Sequence, residues 1–127
     1  MKTITLILAL TFASLLSAFA DHHGEKKANF RHVVCFKFKA DATPEQIKAI
    51  EKAFGELPSK IDTIKGYEWG TSVGDKEKAK GFTHCFVVTF ADKAGLDVYI
   101  PHAAHQAFVK QLKPLLDDVF VFDFVAQ

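Results

Sequence analysis

Two stretches of the chain alternate apolar and polar positions with the period of two that a half-buried strand imposes. In His32-Val-Val-Cys-Phe-Lys-Phe38, the residues His32, Val34, Phe36 and Phe38 share one side. In His84-Cys-Phe-Val-Val-Thr-Phe90, the same holds for His84, Phe86, Val88 and Phe90. Each greasy face thus begins with an imidazole, and a buried polar ring costs roughly 1 to 3 kcal/mol unless it finds a hydrogen-bond partner. The two rings predict a pocket on that face, with His32, Val34, Phe36, His84, Phe86 and Val88 as ligand-binding wall. The plainer reading, a hydrogen-bonded core histidine in each strand, stands beside it.

The remaining pattern completes the order of elements. Strand one is expected over 31–39. Thr43-Pro44-Glu45-Gln46 starts a helix, with Thr43 as N-cap, Pro44 in the first turn and Gln46 closing a capping box. Ile47, Ile50, Phe54 and Leu57 follow at helical spacing, and Leu57-Pro58 should end the helix. Strands are expected over 67–73 and 82–90, joined by a charged loop as a long hairpin. Asp92 can cap a short helix running to Tyr99, Pro101 breaks it, and a second helical stretch covers 102–116, with His105, Phe108, Leu112 and Leu115 on one face. The last strand, 119–125, is apolar on both sides.

The order β-α-β-β-α-β predicts an α+β fold with a four-stranded antiparallel sheet and the helices on one face, the ferredoxin-like arrangement. The uncovered face would carry Val33, Cys35, Cys85 and Val87, plus three phenylalanines or three valines of the last strand, whichever way that strand faces. Such a patch exceeds what monomers leave wet, so a homodimer is expected, two sheets closing face to face into a barrel.

Residues 1–20 read as a secretory leader: Met-Lys, an apolar run too short for a membrane span, then Ser17-Ala18-Phe19-Ala20. A secreted or periplasmic location follows, with a polar tail over 21–29 and the domain over 30–127. The whole chain has 16 basic and 15 acidic residues, and removal of Lys2 with the leader leaves a balanced charge. Arg31 is the only arginine. Without a basic stripe, neither nucleic acid nor, after cleavage, a membrane is an expected partner. Cys35 and Cys85 lie opposite the histidines, and either a bridge or two buried free thiols fits the pattern.

His105 sits on the stripe facing the sheet, Tyr99 precedes the helix break, and Asp123 is a lone carboxylate between Phe122 and Phe124. A dyad of Asp123 with His105 would make the ring a general base, and Tyr99 would donate to a developing oxyanion. Tyr99, His105 and Asp123 are therefore the candidate catalytic residues, with neither metal nor organic cofactor expected. His102 and His105 have the spacing of helical metal ligands without a third partner. Cleavage after Ala20 would expose Asp21-His22-His23, whose amine, amides and imidazole suit copper or nickel. Tyr67 and Trp69 could stack on a ligand or pack in the core.

Taken together, His32 with Phe36-Lys37-Phe38-Lys39, Trp69-Gly70, Gly81-Phe82-Thr83-His84 to Thr89-Phe90, Tyr99-Ile-Pro-His102-Ala-Ala-His105 and Phe122-Asp123-Phe124 resemble the stress-responsive alpha/beta barrel (Dabb) family. The resemblance runs from about Phe30 to Val125 and implies a dimeric barrel with a cavity between sheet and helices. It extends to the plant polyketide cyclase branch. There a tyrosine and a histidine at the positions of Tyr99 and His105 act on a linear polyketide, and strand histidines line the pocket. Two departures stand out: Ala103 where the family usually has proline, and Phe54 where the cyclase has a pocket tyrosine. The implied function is a small apolar pocket performing cofactor-free proton transfer or cyclisation on a hydrophobic substrate, the alternative being a non-catalytic ligand-binding or stress-stable dimer.

Overall fold

A computed structural model describes residues 27–127; the leader, most of the tail and the Asp21-His22-His23 motif lie outside the described residues. The chain forms β1 (Phe30–Phe38), α1 (Pro44–Lys60), β2 (Ile64–Thr71), β3 (His84–Phe90), α2 (Lys93–Tyr99), α3 (Ala103–Leu112), a 3-10 turn (Lys113–Leu115) and β4 (Leu116–Val125). The strands are antiparallel in the order β2-β3-β1-β4, the ferredoxin-like sheet expected from the sequence.

Each helix starts where its cap allows. The Thr43 hydroxyl accepts from the Gln46 N–H at 3.2 Å, and the Gln46 side chain accepts from the Thr43 N–H at 2.9 Å. Asp92 accepts from the Gly95 N–H at 3.3 Å. A side chain at Gly95 would bring its Cβ to 3.2 Å from the Cβ of Phe90, so glycine lets α2 lie close on the sheet and carries Tyr99 inward. His102 caps α3, its Nδ1 accepting from the Ala104 N–H at 3.0 Å. Its ring is thereby committed to the helix end and not to a metal pair with His105.

Two helix boundaries differ from expectation. α1 continues through Pro58 to Lys60, and the Ile61 N–H still bonds the Leu57 carbonyl at 3.0 Å. Pro58 removes one hydrogen bond within a helix already held by Ile50, Phe54 and Leu57, all buried, and packing outweighs the missing donor. The final helical stretch stops at Leu112, tightens at Lys113–Leu115 around Pro114, and gives way to β4 already at Leu116. β2 starts three residues earlier than the alternation suggested and β3 starts at His84.

The core lies between helices and sheet. Phe54 stacks on Phe86 at 4.3 Å with rings 7° apart, and Phe36, Tyr67 and Phe108 surround the pair. Ile50, Phe86, Val88 and Phe90 are fully buried. β4 pairs Cys35 with Phe120, Val33 with Phe122 and Arg31 with Phe124, so its phenylalanines share the cysteine face. They are 51%, 56% and 41% exposed and form a row of ring contacts. Its valines and Asp123 turn toward the helices.

Candidate functional site

The cavity forms where the layers stand apart. α3 packs on α1, and between α3, the end of α2, β1 and β4 a space of about 530 Å³ remains. Val34, Phe36, Val119 and Val121 floor it from the sheet, and Phe108 and Leu112 wall it from α3. Val119 and Val121 are exposed in the subunit, at 46% and 49%, because they face this cavity and no side chain of the described residues fills it. The size and the predominance of aliphatic lining suit a small apolar ligand.

All the polar residues of one end converge on it: His32, Tyr99, His105 and Asp123. Antiparallel register sets Asp123 directly opposite His32, and His32 Nδ1 lies 2.6 Å from Asp123 Oδ1. The expected dyad of Asp123 with His105 is therefore corrected. Asp123 is spoken for by the neighbouring strand, and His105 Nδ1 lies 2.9 Å from the Ile100 carbonyl. A carbonyl only accepts, so Nδ1 carries the hydrogen and Nε2 carries the lone pair. Burial is the main cause that holds the His105 pKa below the ordinary histidine value; the hydrogen bond to the Ile100 carbonyl opposes it, and His32 and His102 nearby add to the lowering. The uncharged ring is thus the favoured form.

Tyr99 ties the two histidines together. Its ring is 4.3 Å from that of His105 and edge-on to that of His32 at 5.8 Å. Tyr99 is 1% exposed, and burial first, the Tyr67 phenol second, raises its pKa. It keeps its proton at neutral pH, as a donor to an oxyanion must.

The other expected wall residues separate. Phe86 and Val88 lie in the core beneath, outside the cavity lining. His84 sits away from it, its Nε2 3.4 Å from Glu51 Oε1 and its Nδ1 2.8 Å from Thr83 Oγ1. Trp69 lies parallel to that ring, 1° between planes at 6.0 Å. The aromatic residues of β2 stack on core and histidine, and neither lines the cavity. The Tyr67 hydroxyl is buried without a partner among the described residues, and burial pushes its pKa up to about 12.

Three features were missed by reading the sequence: the Ile100 carbonyl that orients His105, the valines of β4, and Lys113 at the cavity edge. The first leaves no side-chain signal. The second could have been found by testing both faces of β4 against a register with β1.

Known proteins share the sequence pattern and the fold over most of the chain. Olivetolic acid cyclase from Cannabis sativa is 31% identical over 94 residues, covering 74% of this chain and 93% of that protein. The solved hydroxynitrile lyase from Passiflora edulis superposes with a TM-score of 0.73 at 25% identity, covering 79% of this chain and 94% of the other. A protein from Thermobifida fusca, described as dimeric, ferredoxin-like and of unknown function, superposes with a TM-score of 0.67 at 26% identity, covering 77% and 91%. Residues 30–126 match the family described as the Stress responsive A/B Barrel Domain, and the chain belongs to that family, Dabb.

Proposed function

We propose that the protein is a secreted homodimer whose subunits each bind a small hydrophobic carbonyl compound and move a proton on it without metal or organic cofactor. The observation that carries the reading is a protonated phenol and an uncharged imidazole set side by side at the one polar end of an apolar cavity. His105 Nε2 takes a proton from the carbon next to the carbonyl. The electron pair of that bond moves onto the carbonyl oxygen, where the Tyr99 hydroxyl donates to the developing charge. The carbanion equivalent then adds to a second carbonyl, and His105 returns its proton to the new alkoxide. His32, oriented by Asp123, backs Tyr99. Relatives named as a cyclase and a lyase support chemistry of this kind on the fold.

Proton transfer can be read without knowing the substrate. With 2-nonanone in heavy water, wild type should accelerate exchange of the hydrogens next to the carbonyl above an equal concentration of imidazole, as followed by NMR, and His105→Ala and Tyr99→Phe should not. No acceleration by wild type would leave a binding protein and remove the enzyme reading.

The dimer rests on the exposed row Phe120, Phe122 and Phe124, a face larger and greasier than a monomer tolerates, and on the dimeric description of the Thermobifida fusca structure. Phe122→Glu buries a charge in the middle of that face. Sedimentation equilibrium at micromolar concentration should find wild type as a dimer and the variant as a monomer; a monomeric wild type defeats the assembly. Secretion rests on residues 1–20, and intact mass after export should show their loss.

A further inference from the structure

Two thiols lie outside the site, unused by this mechanism. Cys35 on β1 and Cys85 on β3 are direct cross-strand partners. Both are free, partly exposed, and line a groove of about 690 Å³ between the open sheet face and the β2–β3 loop. Direct antiparallel partners hold their Cα atoms about 4.5 to 5.5 Å apart, inside the roughly 4.4 to 6.8 Å that a disulfide spans. β1 and β3 are the two central strands of the sheet, so the spacing is fixed on both flanks. Burial first, and then the facing Cys85 thiol, pushes the Cys35 thiol up to about 11. The Cys35 thiol therefore faces its partner as a neutral group.

We propose that Cys35 and Cys85 are a two-electron redox pair that closes into a disulfide within one chain, clamping the centre of the sheet. The oxidant is a small-molecule disulfide. One cysteine, as thiolate, attacks a sulfur of that disulfide, breaking its S–S bond and releasing one thiol. The second cysteine attacks the sulfur of the mixed disulfide, forming the Cys35–Cys85 bond and releasing the other thiol. The two cysteine protons end on the released thiols and two electrons pass to the oxidant. With little Cys35 thiolate in the folded chain, attack by Cys35 is slow there and faster while the chain is folding. No atom is added, so the open face keeps its shape for a second subunit.

The test refolds the full chain from urea in a mixture of reduced and oxidised glutathione, with a parallel sample kept in urea. Both are quenched in acid and mapped by mass spectrometry. In the folded sample the Cys35–Cys85 disulfide should dominate, with a disulfide-to-dithiol ratio at least about tenfold above the urea sample, since the native register holds the thiols together. Two free thiols, glutathione adducts, an intersubunit disulfide, or an equal ratio in urea would each overturn the proposal.

Discussion

Two histidine–carboxylate pairs occupy the helix-facing side of the same sheet, and they are built to opposite ends. At one end His84 spends both ring nitrogens, Nε2 on Glu51 and Nδ1 on Thr83, under the parallel ring of Trp69. At the other, His32 spends Nδ1 on Asp123 and His105 spends Nδ1 on Ile100, and among the described residues neither Nε2 has a partner. A histidine with both nitrogens satisfied is a piece of the core. One with a single nitrogen anchored in a chosen tautomer has the other available to a ligand. Residue type and burial alone do not separate the cases, since His32 and His84 are 6% and 7% exposed.

The largest effect should come from exchanging the damage between the two ends. His105→Ala should lower the wild-type exchange rate on 2-nonanone by at least about 100-fold, the usual scale for loss of a positioned base. His84→Ala should leave that rate within about twofold. Equal losses in the two variants would mean that the division between the ends is false and that fold integrity alone limits the rate.

Stability should reverse the order. His84→Ala removes ring contacts with Trp69, Phe38 and Phe86 and leaves the half-buried Glu51 carboxylate without its imidazole partner. A cost on the order of 2 kcal/mol follows, or roughly 8 to 16 °C in melting temperature for a domain of this size. His105→Ala leaves one partly solvated carbonyl without its donor and should cost less than about 1 kcal/mol. Melting curves at fixed protein concentration check both, and a more damaging His105→Ala would make His105 the structural residue.

The sequence carried the fold because alternation, caps and turn residues agree at every level: Thr43-Pro44 opens α1, Asp92 opens α2, and the two histidine strands face the way their period requires. It located the cavity's polar end for a similar reason, since Tyr99 and His105 flank a break that Pro101 enforces. It failed on pairing. That Asp123 meets His32 depends on which residue of β4 lies opposite which residue of β1, a register fixed by the whole sheet and by a shift between Lys37 and Phe38. It placed His84 in the pocket because period two says which side a residue takes, not where the helices stand off from that side. Pro58 misled because a local breaker was weighed without the packing that overrides it.

The smallest effect tests the electrostatics of the cavity end. Burial lowers the His105 pKa, so the folded chain binds that proton less readily than the unfolded chain, in which histidine titrates near about 6.5. Where the unfolded state holds more protons, stability rises with pH. The contribution of the neutral ring is therefore complete above about pH 6.5 and is lost as pH falls from there through the lowered folded value. Because the chain holds other histidines, the comparison must be wild type against His105→Gln, with melting followed from pH 5 to 7.5. The wild-type advantage should shrink on the acid side. The rate on 2-nonanone should fall with an inflection below that of ordinary histidine, since the base stays unprotonated to lower pH. An inflection above about 6.5 would mean that His105 is charged at its post and would overturn its assignment as an uncharged base.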